Sequence, residues 1–174
     1  RIEAGKVTAV IGPSGAGKST LLGGIAGFVT QRSGILSWNS VDITALPPHE
    51  RSVSMLFQDN NLFPHLTVLQ NVALALGPRL NPTRDVQNQV EDMLARVGLE
   101  DLATRKPAAL SGGQQSRAAL ARALLQDRVI MLMDEPFSAL GPGMKAEMLD
   151  LSVELAQAAG RTVVMVTHDP ADAA

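Results

Sequence analysis

Cysteine is missing from the chain of 174 residues, which excludes a disulfide framework and any thiolate-held metal within it and points only weakly to a reducing compartment. Tyrosine is missing too, and the single tryptophan, Trp38, reads as a packing residue. Charge of one sign is not in excess. Fifteen Lys and Arg against seventeen Asp and Glu give a net charge of -2, so there is no basic field of the kind nucleic-acid binders use, and no charged tail. No apolar run approaches the roughly 18 residues that cross a bilayer. Internal repeats and low-complexity tracts are lacking as well. With 45% hydrophobic residues, what remains is the composition of one well-buried core, with room for a subdomain but not for a second full domain.

The most informative stretch is Gly12-Pro13-Ser14-Gly15-Ala16-Gly17-Lys18-Ser19-Thr20, which matches GxxxxGK(S/T). It comes directly after the apolar run Val7 to Ile11 and opens a helical segment, Lys18 to Ala26, that stops at Gly27. Main-chain N–H groups can wrap a triphosphate only where side chains leave the backbone clear, which accounts for Gly12, Gly15 and Gly17. Lys18 supplies a positive charge for the β- and γ-phosphates. Ser19 brings a hydroxyl to the place where Mg2+ bridges those oxygens, and the positive end of the following helix faces the phosphate charge.

Downstream, Gly34 to Trp38 and Val41 to Ile43 read as a short hairpin turning at Asn39-Ser40. Val53 to Phe57 is a strand ending at Gln58. From Asp59 to about Asp127 the pattern is helical: Val68, Leu69, Val72 and Leu76 form one stripe, and Val86, Val90, Met93, Leu94 and Val97 another before Gly98. Leu110-Ser111-Gly112-Gly113-Gln114-Gln115 then leads into an Ala/Leu/Arg-rich helix with Ser111 as N-cap and with Arg117 and Arg122 off the apolar side. Val129 to Met133 is the most apolar strand, running into Asp134-Glu135-Pro136. A helix over Met144 to Ala158 and a strand over Thr162 to Val166 close on His168. Strands alternating with helices predict a mainly parallel sheet with right-handed crossovers, and Met131, Met133 and Met165 within those strands are expected to fill the core. Asp134, at the carboxyl end of an apolar strand, is placed to hold Mg2+ through water, and Glu135 to orient or deprotonate an attacking water. His49 and His65 read as loop histidines.

The phosphate loop, Gln58 after a strand, LSGGQQ from Leu110, MLMDEP from Met131 and His168 after VVMVT together resemble the ATP-binding subunits of ABC transporters, in order and spacing, over nearly the whole chain. Leu56 to Leu74 is most similar to subunits of bacterial importers, those for thiamine in particular. The resemblance implies an α/β P-loop NTPase fold with a mainly parallel sheet flanked by helices and a helical signature subdomain: residues 1–58 and 128–174 form the two parts of the ATP-binding core, and 59–127 the subdomain. It implies ATP hydrolysis with ATP and Mg2+ bound, Lys18, Ser19 and Asp134 as nucleotide and magnesium ligands and Glu135 as the catalytic carboxylate. Gln58 is the implied sensor of Mg2+, water and the membrane partner, and His168 the histidine on the γ-phosphate. Ser111, Gly112, Gly113 and Gln114 are implied to meet the ATP of a second subunit, and the start of a helix is a suitable anion site for that. Implied partners are a second copy, transmembrane permease subunits and, indirectly, a periplasmic solute-binding protein, with the chain peripheral on the cytoplasmic face of the inner membrane and no nucleic acid bound. Phe63, Pro64 and Leu66 are expected to form an exposed apolar contact for the membrane subunit.

The chain departs from the family pattern in three ways. It starts at Arg1, downstream of the family's adenine-stacking aromatic, and lacks the family's elements after the histidine, so a fragment is expected. Gly141 also stands where Ser138-Ala139-Leu140 is usually followed by Asp, which puts communication between subunits in doubt. Two other classes fit parts of the pattern: a soluble ABC ATPase of DNA repair or translation, and a small-molecule phosphotransferase with a phosphate loop. The first often carries coiled-coil insertions, and no sustained heptads occur here; the second has no use for LSGGQ.

Overall fold

Runs that are apolar on both faces become buried strands, and runs with one apolar stripe become the helices that cover them. The computed structural model describes residues 1–173. Its elements are β1 (Val7–Ile11), α1 (Lys18–Ala26), β2 (Ser37–Trp38), β3 (Val41–Asp42), β4 (Val53–Leu56), α2 (Val68–Ala73), α3 (Arg84–Arg96), α4 (Gly112–Leu125), β5 (Ile130–Asp134), α5 (Pro142–Ala158) and β6 (Thr162–Thr167). One sheet has the order β1-β6-β5-β4 with every pairing parallel. Side chains alternate across it. Ile130, Leu132, Val164 and Val166 pack on one face with Leu22 and Ile25 of α1 and with Trp38. Met131, Met133, Val163 and Met165 pack on the other with α2, α3, α4 and α5. The three methionines are core, as their strand positions predict.

The long helical segment shares that second core. Ala118, Ala119, Ala121 and Ala123 of α4 are all buried, and side chains this small let the helix lie close to β4 and the neighbouring helices. Arginines donate to the carbonyls at the ends of three helices, where the intrahelical donors run out. Buried Arg51 donates to Gly24 O and Ile25 O at the end of α1, at 2.6 and 2.8 Å. Buried Arg161 donates to Ala123 O, Leu124 O and Gln126 O at the end of α4, at 3.1, 2.5 and 2.8 Å. Arg117 donates to Val97 O, at the end of α3, and pairs with Glu147 of α5.

Several expectations change in detail. The hairpin pairs only two residues a side, Ser37↔Asp42 and Trp38↔Val41, and turns at Asn39 and Ser40, both left-handed. Helix α2 stops at Ala73, so Leu76 leaves the stripe and is exposed. Helix α5 starts at Pro142 rather than Met144, because proline suits the first turn, where its missing N–H is no loss. Leu66 is not part of an exposed contact: it is 5% exposed and lies in the core. The cause is Asn71, fully buried, whose Nδ2 donates to Phe63 O, Leu66 O and Thr67 O while its Oδ1 accepts from Phe63 N. This network folds the loop so that Leu66 points inward and Phe63 and Pro64 stay exposed.

Candidate functional site

Parallel strands end on one side, and their register brings the turns beyond those ends into line. Ile11 pairs with Thr167, Asp134 with Val166 and Leu56 with Met133. The phosphate loop after β1, His168 after β6, Asp134-Glu135 at the end of β5 and Gln58 after β4 therefore occupy a single edge of the sheet. Two backbone bonds continue the ladder into these turns, Gly12 N to Thr167 O at 3.3 Å and Glu135 N to Val166 O at 3.0 Å.

In the loop, Gly15 and Gly17 have φ of 80° and 88°, a conformation that side chains resist. Gly17 is the N-cap of α1 and offers no side-chain cap to the helix. Among the described residues the N–H groups of Ser14, Gly15 and Gly17 have no acceptor, whereas Ala16 N bonds Pro13 O at 3.2 Å. Free exposed N–H groups leading into a helix N-terminus with no acidic residue in its first turn fit a polyphosphate. Thr20, on the first turn, is exposed.

Lys18 is 8% exposed, and its Nζ donates to Gly12 O at 2.8 Å and Pro13 O at 3.0 Å and lies 3.4 Å from Glu135 Oε1. Ser19 Oγ donates to Asp134 Oδ1 at 2.9 Å, so a hydroxyl and a carboxylate sit together as a donor pair suited to a hard divalent cation. Glu135 Oε2 pairs with His168 Nδ1 at 3.1 Å. Glu135 has φ of 43° and Phe137, buried in the core, 61°, values uncommon outside glycine. This kink turns the chain out of β5 just where Glu135 meets both Lys18 and His168.

Behind His168 lies a set of charges that sequence reasoning missed. Lys145 of α5 pairs with Asp172 at 2.6 Å and Asp169 at 3.6 Å, and Thr167 Oγ1 bonds Asp172. The N–H of Ala171, with Lys145 and His168 adding to it, holds the Asp169 carboxyl below its usual range. The Asp169-Pro170 turn after a strand was the available signal, but nothing in the pattern named Lys145 as its counterpart.

The remaining expected residues are apart from this row. Gln58 is exposed beyond β4. Ser111 caps α4 in a reciprocal box, its Oγ accepting from Gln114 N at 3.3 Å and Gln114 Oε1 accepting from Ser111 N at 3.0 Å. Gly112 is exposed; Gly113 is buried, and a Cβ there would collide with Met144 Sδ. Among the described residues no hydrogen bond joins Ser111 to Gln114 with the phosphate loop. His49 lies on an exposed 3-10 turn, Pro48–Glu50, rather than a plain loop, and His65 on an exposed loop edge-on to Phe63. Among the described residues, no helix is long and apolar enough to cross a membrane.

The ABC transporter family model matches residues 1–138. The thiamine import ATP-binding protein ThiQ of Ruegeria sp. (strain TM1040) is 58% identical over 172 residues, 99% of this chain and 74% of that protein. ThiQ of Escherichia coli (strain UTI89 / UPEC) is 50% identical over 173 residues, 99% of this chain and 75% of its own length. Among solved structures, a dimeric bacterial ABC transporter cassette superposes with a TM-score of 0.84 at 34% identity, covering 99% of this chain and 79% of that one. A Clostridium perfringens protein that is part of the ABC transporter complex CbiONQ gives 0.84 at 32% identity, over 97% and 69% of the two chains.

Proposed function

The chain belongs to the ABC transporter family, and on that premise we propose that it is the ATP-hydrolysing subunit of a bacterial solute importer and that the solute is thiamine. The observation that carries this reading is the pair Ser19–Asp134 beside the row Lys18–Glu135–His168 along the carboxyl edge of the sheet. The relatives named for thiamine import support the solute.

In this proposal the N–H groups of the phosphate loop and Lys18 bind the β- and γ-phosphates. Ser19, Asp134 and Gln58 hold Mg2+, which when bound offsets the charge developing on the phosphate oxygens. Glu135 accepts a proton from a water that attacks the γ-phosphorus; the bond from that phosphorus to the β–γ bridging oxygen breaks, and ADP leaves with that oxygen. His168 holds the Glu135 carboxylate through Nδ1 and touches the γ-phosphate. Ser111, Gly112, Gly113 and Gln114 meet the ATP held by a second copy, a reading supported by the dimeric cassette with the same fold. The chain divides as 1–58 and 128–174 for the ATP-binding core and 59–127 for the helical subdomain. It sits on the cytoplasmic face of the inner membrane against permease subunits, with exposed Phe63 and Pro64 in the contact, and serves a periplasmic solute-binding protein indirectly.

The test is copurification of the full-length protein with its membrane partner, followed by thiamine uptake into proteoliposomes loaded with ATP. ATP-dependent uptake is expected. A protein that hydrolyses ATP but never associates with a membrane protein contradicts the transport reading.

A further inference from the structure

The loop beyond Gln58 is tied to α4, the helix capped by Ser111, and the side chains that make the tie have no other polar partner among the described residues. After β4 the chain turns through Asn60 and Asn61, both left-handed, with φ of 56° and 47°. Asparagine tolerates this conformation better than most residues. The turn is closed by Asn60 N to Phe57 O at 3.2 Å and Asn61 N to Asp59 O at 2.6 Å. It leaves the carbonyls of Asn60 and Asn61 without a backbone donor among the described residues. Arg122, on α4, takes both: Nη2 donates to Asn60 O at 2.9 Å and Nη1 to Asn61 O at 2.8 Å. Six residues earlier on the same helix, buried Ser116 accepts from Asn60 Nδ2 at 3.2 Å.

Two facts make this a dedicated attachment rather than a passing contact. Among the described residues no carboxylate pairs with Arg122, so its charge is met by the two loop carbonyls alone; burial lowers its pKa, as expected for a cation partly withdrawn from water without an anion. Such a cation left without acceptors is unfavourable, so when the loop shifts the helix must move with it or the cation must lose both bonds. The attachment is also at three points, the two ends of one guanidinium and a serine hydroxyl, which fixes orientation as well as distance.

We propose that Arg122 and Ser116 are positioning residues that latch the Gln58 loop to α4, so that Gln58 and the Ser111–Gly113 turn move as one body during ATP turnover. The inference rests on the proposed roles of Gln58 and Ser111–Gly113 in ATP hydrolysis. Neither latch residue touches the nucleotide; they act through Gln58. Displacement of the loop by a membrane partner then reaches the N-terminus of α4 without passing through the phosphate loop.

The experiment is a double-variant cycle in the full-length protein within its transporter complex, reading kcat for ATP and, separately, ATP affinity. Gln58→Ala and Arg122→Leu are each expected to lower kcat by roughly fivefold or more while ATP affinity stays within about twofold, and the double variant to be no slower than the slower single variant. Arg122→Lys, which keeps the charge but not the planar fork, is expected to recover part of the loss. Should Arg122→Leu fail to fold, Ser116→Ala removes only the hydroxyl and carries the same cycle. A slowed Gln58→Ala beside Arg122→Leu and Ser116→Ala variants at the wild-type rate overturns the latch alone, as do effects that multiply in the double variant. A Gln58→Ala variant at the wild-type rate overturns instead the reading of Gln58 on which the latch rests.

Discussion

Replacing Glu135 with glutamine separates what its charge does from what its shape does. The backbone at this position is left-handed, with φ of 43°, and pinned by Glu135 N to Val166 O, and glutamine inherits both constraints. The base function and the ion pair to Lys18 are both lost, and they differ in size, while the amide keeps a hydrogen-bonding group opposite His168 Nδ1. In its proposed role as general base Glu135 would contribute about 10²- to 10⁴-fold, or roughly 3 to 5 kcal/mol of barrier, and an amide cannot accept that proton. The ion pair to Lys18 is long, 3.4 Å, and Lys18 keeps its bonds to Gly12 O and Pro13 O without it, so its loss costs only about 1 kcal/mol. Its loss also has the opposite sign for binding, because Glu135 competes with phosphate for Lys18. The expected outcome is a kcat at least about 100-fold lower with ATP affinity unchanged or up to roughly fivefold tighter. ATP-bound dimer is then expected to accumulate. Phosphate release in a single turnover gives the first quantity, calorimetric titration the second and light scattering the third. A Glu135→Gln protein that binds ATP more than about tenfold more weakly while turning over normally would refute the assignment, since that is the behaviour of a binding residue.

Gly141 caps α5 without a side-chain bond, and a Cβ there meets nothing within 4 Å, so Gly141→Asp fits the site as it stands. Its local gain is a few tenths of a kcal/mol, about 2 °C in melting temperature at most, whereas the steepness of ATPase activity with ATP is expected to rise clearly. A change in melting alone makes Gly141 no more than a helix cap. Arg161→Met keeps most of the buried volume but strips Ala123 O and Leu124 O of their donor, while Gln126 O keeps Arg128 N, and is expected to destabilise the fold by about 2 to 4 kcal/mol in denaturant unfolding, leaving ATP affinity of the folded protein alone. An unchanged unfolding midpoint contradicts the capping role.

Most of the nucleotide edge is legible in the sequence because each of its parts is local: a glycine loop, and polar residues that end apolar strands. Parallel pairing then brings Lys18, Ser19, Asp134, Glu135 and His168 together with no further information. The partner of each long cation is not legible. Arg117 and Arg122 differ from ordinary solvated arginines through carbonyls 20 and about 60 positions away, at Val97, Asn60 and Asn61, and Arg117 also through Glu147 of α5. Lys145 likewise depends on a turn in another element. Leu66 departs from its expected exposure for a related reason: the burial of that loop is decided by Asn71, a polar residue in an apolar stripe whose four hydrogen bonds run to Phe63, Leu66 and Thr67. Side-chain bonds to backbone carbonyls leave no periodic trace, so the pattern places the residue but not its purpose.

In the proposed reaction the row along the sheet edge passes the γ-phosphate of ATP to water. The direct measurement is turnover of ATP by the full-length protein in water enriched in heavy oxygen, with the released phosphate analysed by mass spectrometry. Inorganic phosphate carrying a single oxygen from the solvent is expected, and almost none of it from the Lys18→Ala protein. Phosphate delivered to an organic acceptor, or solvent-labelled phosphate released equally fast without Lys18, would contradict that reaction.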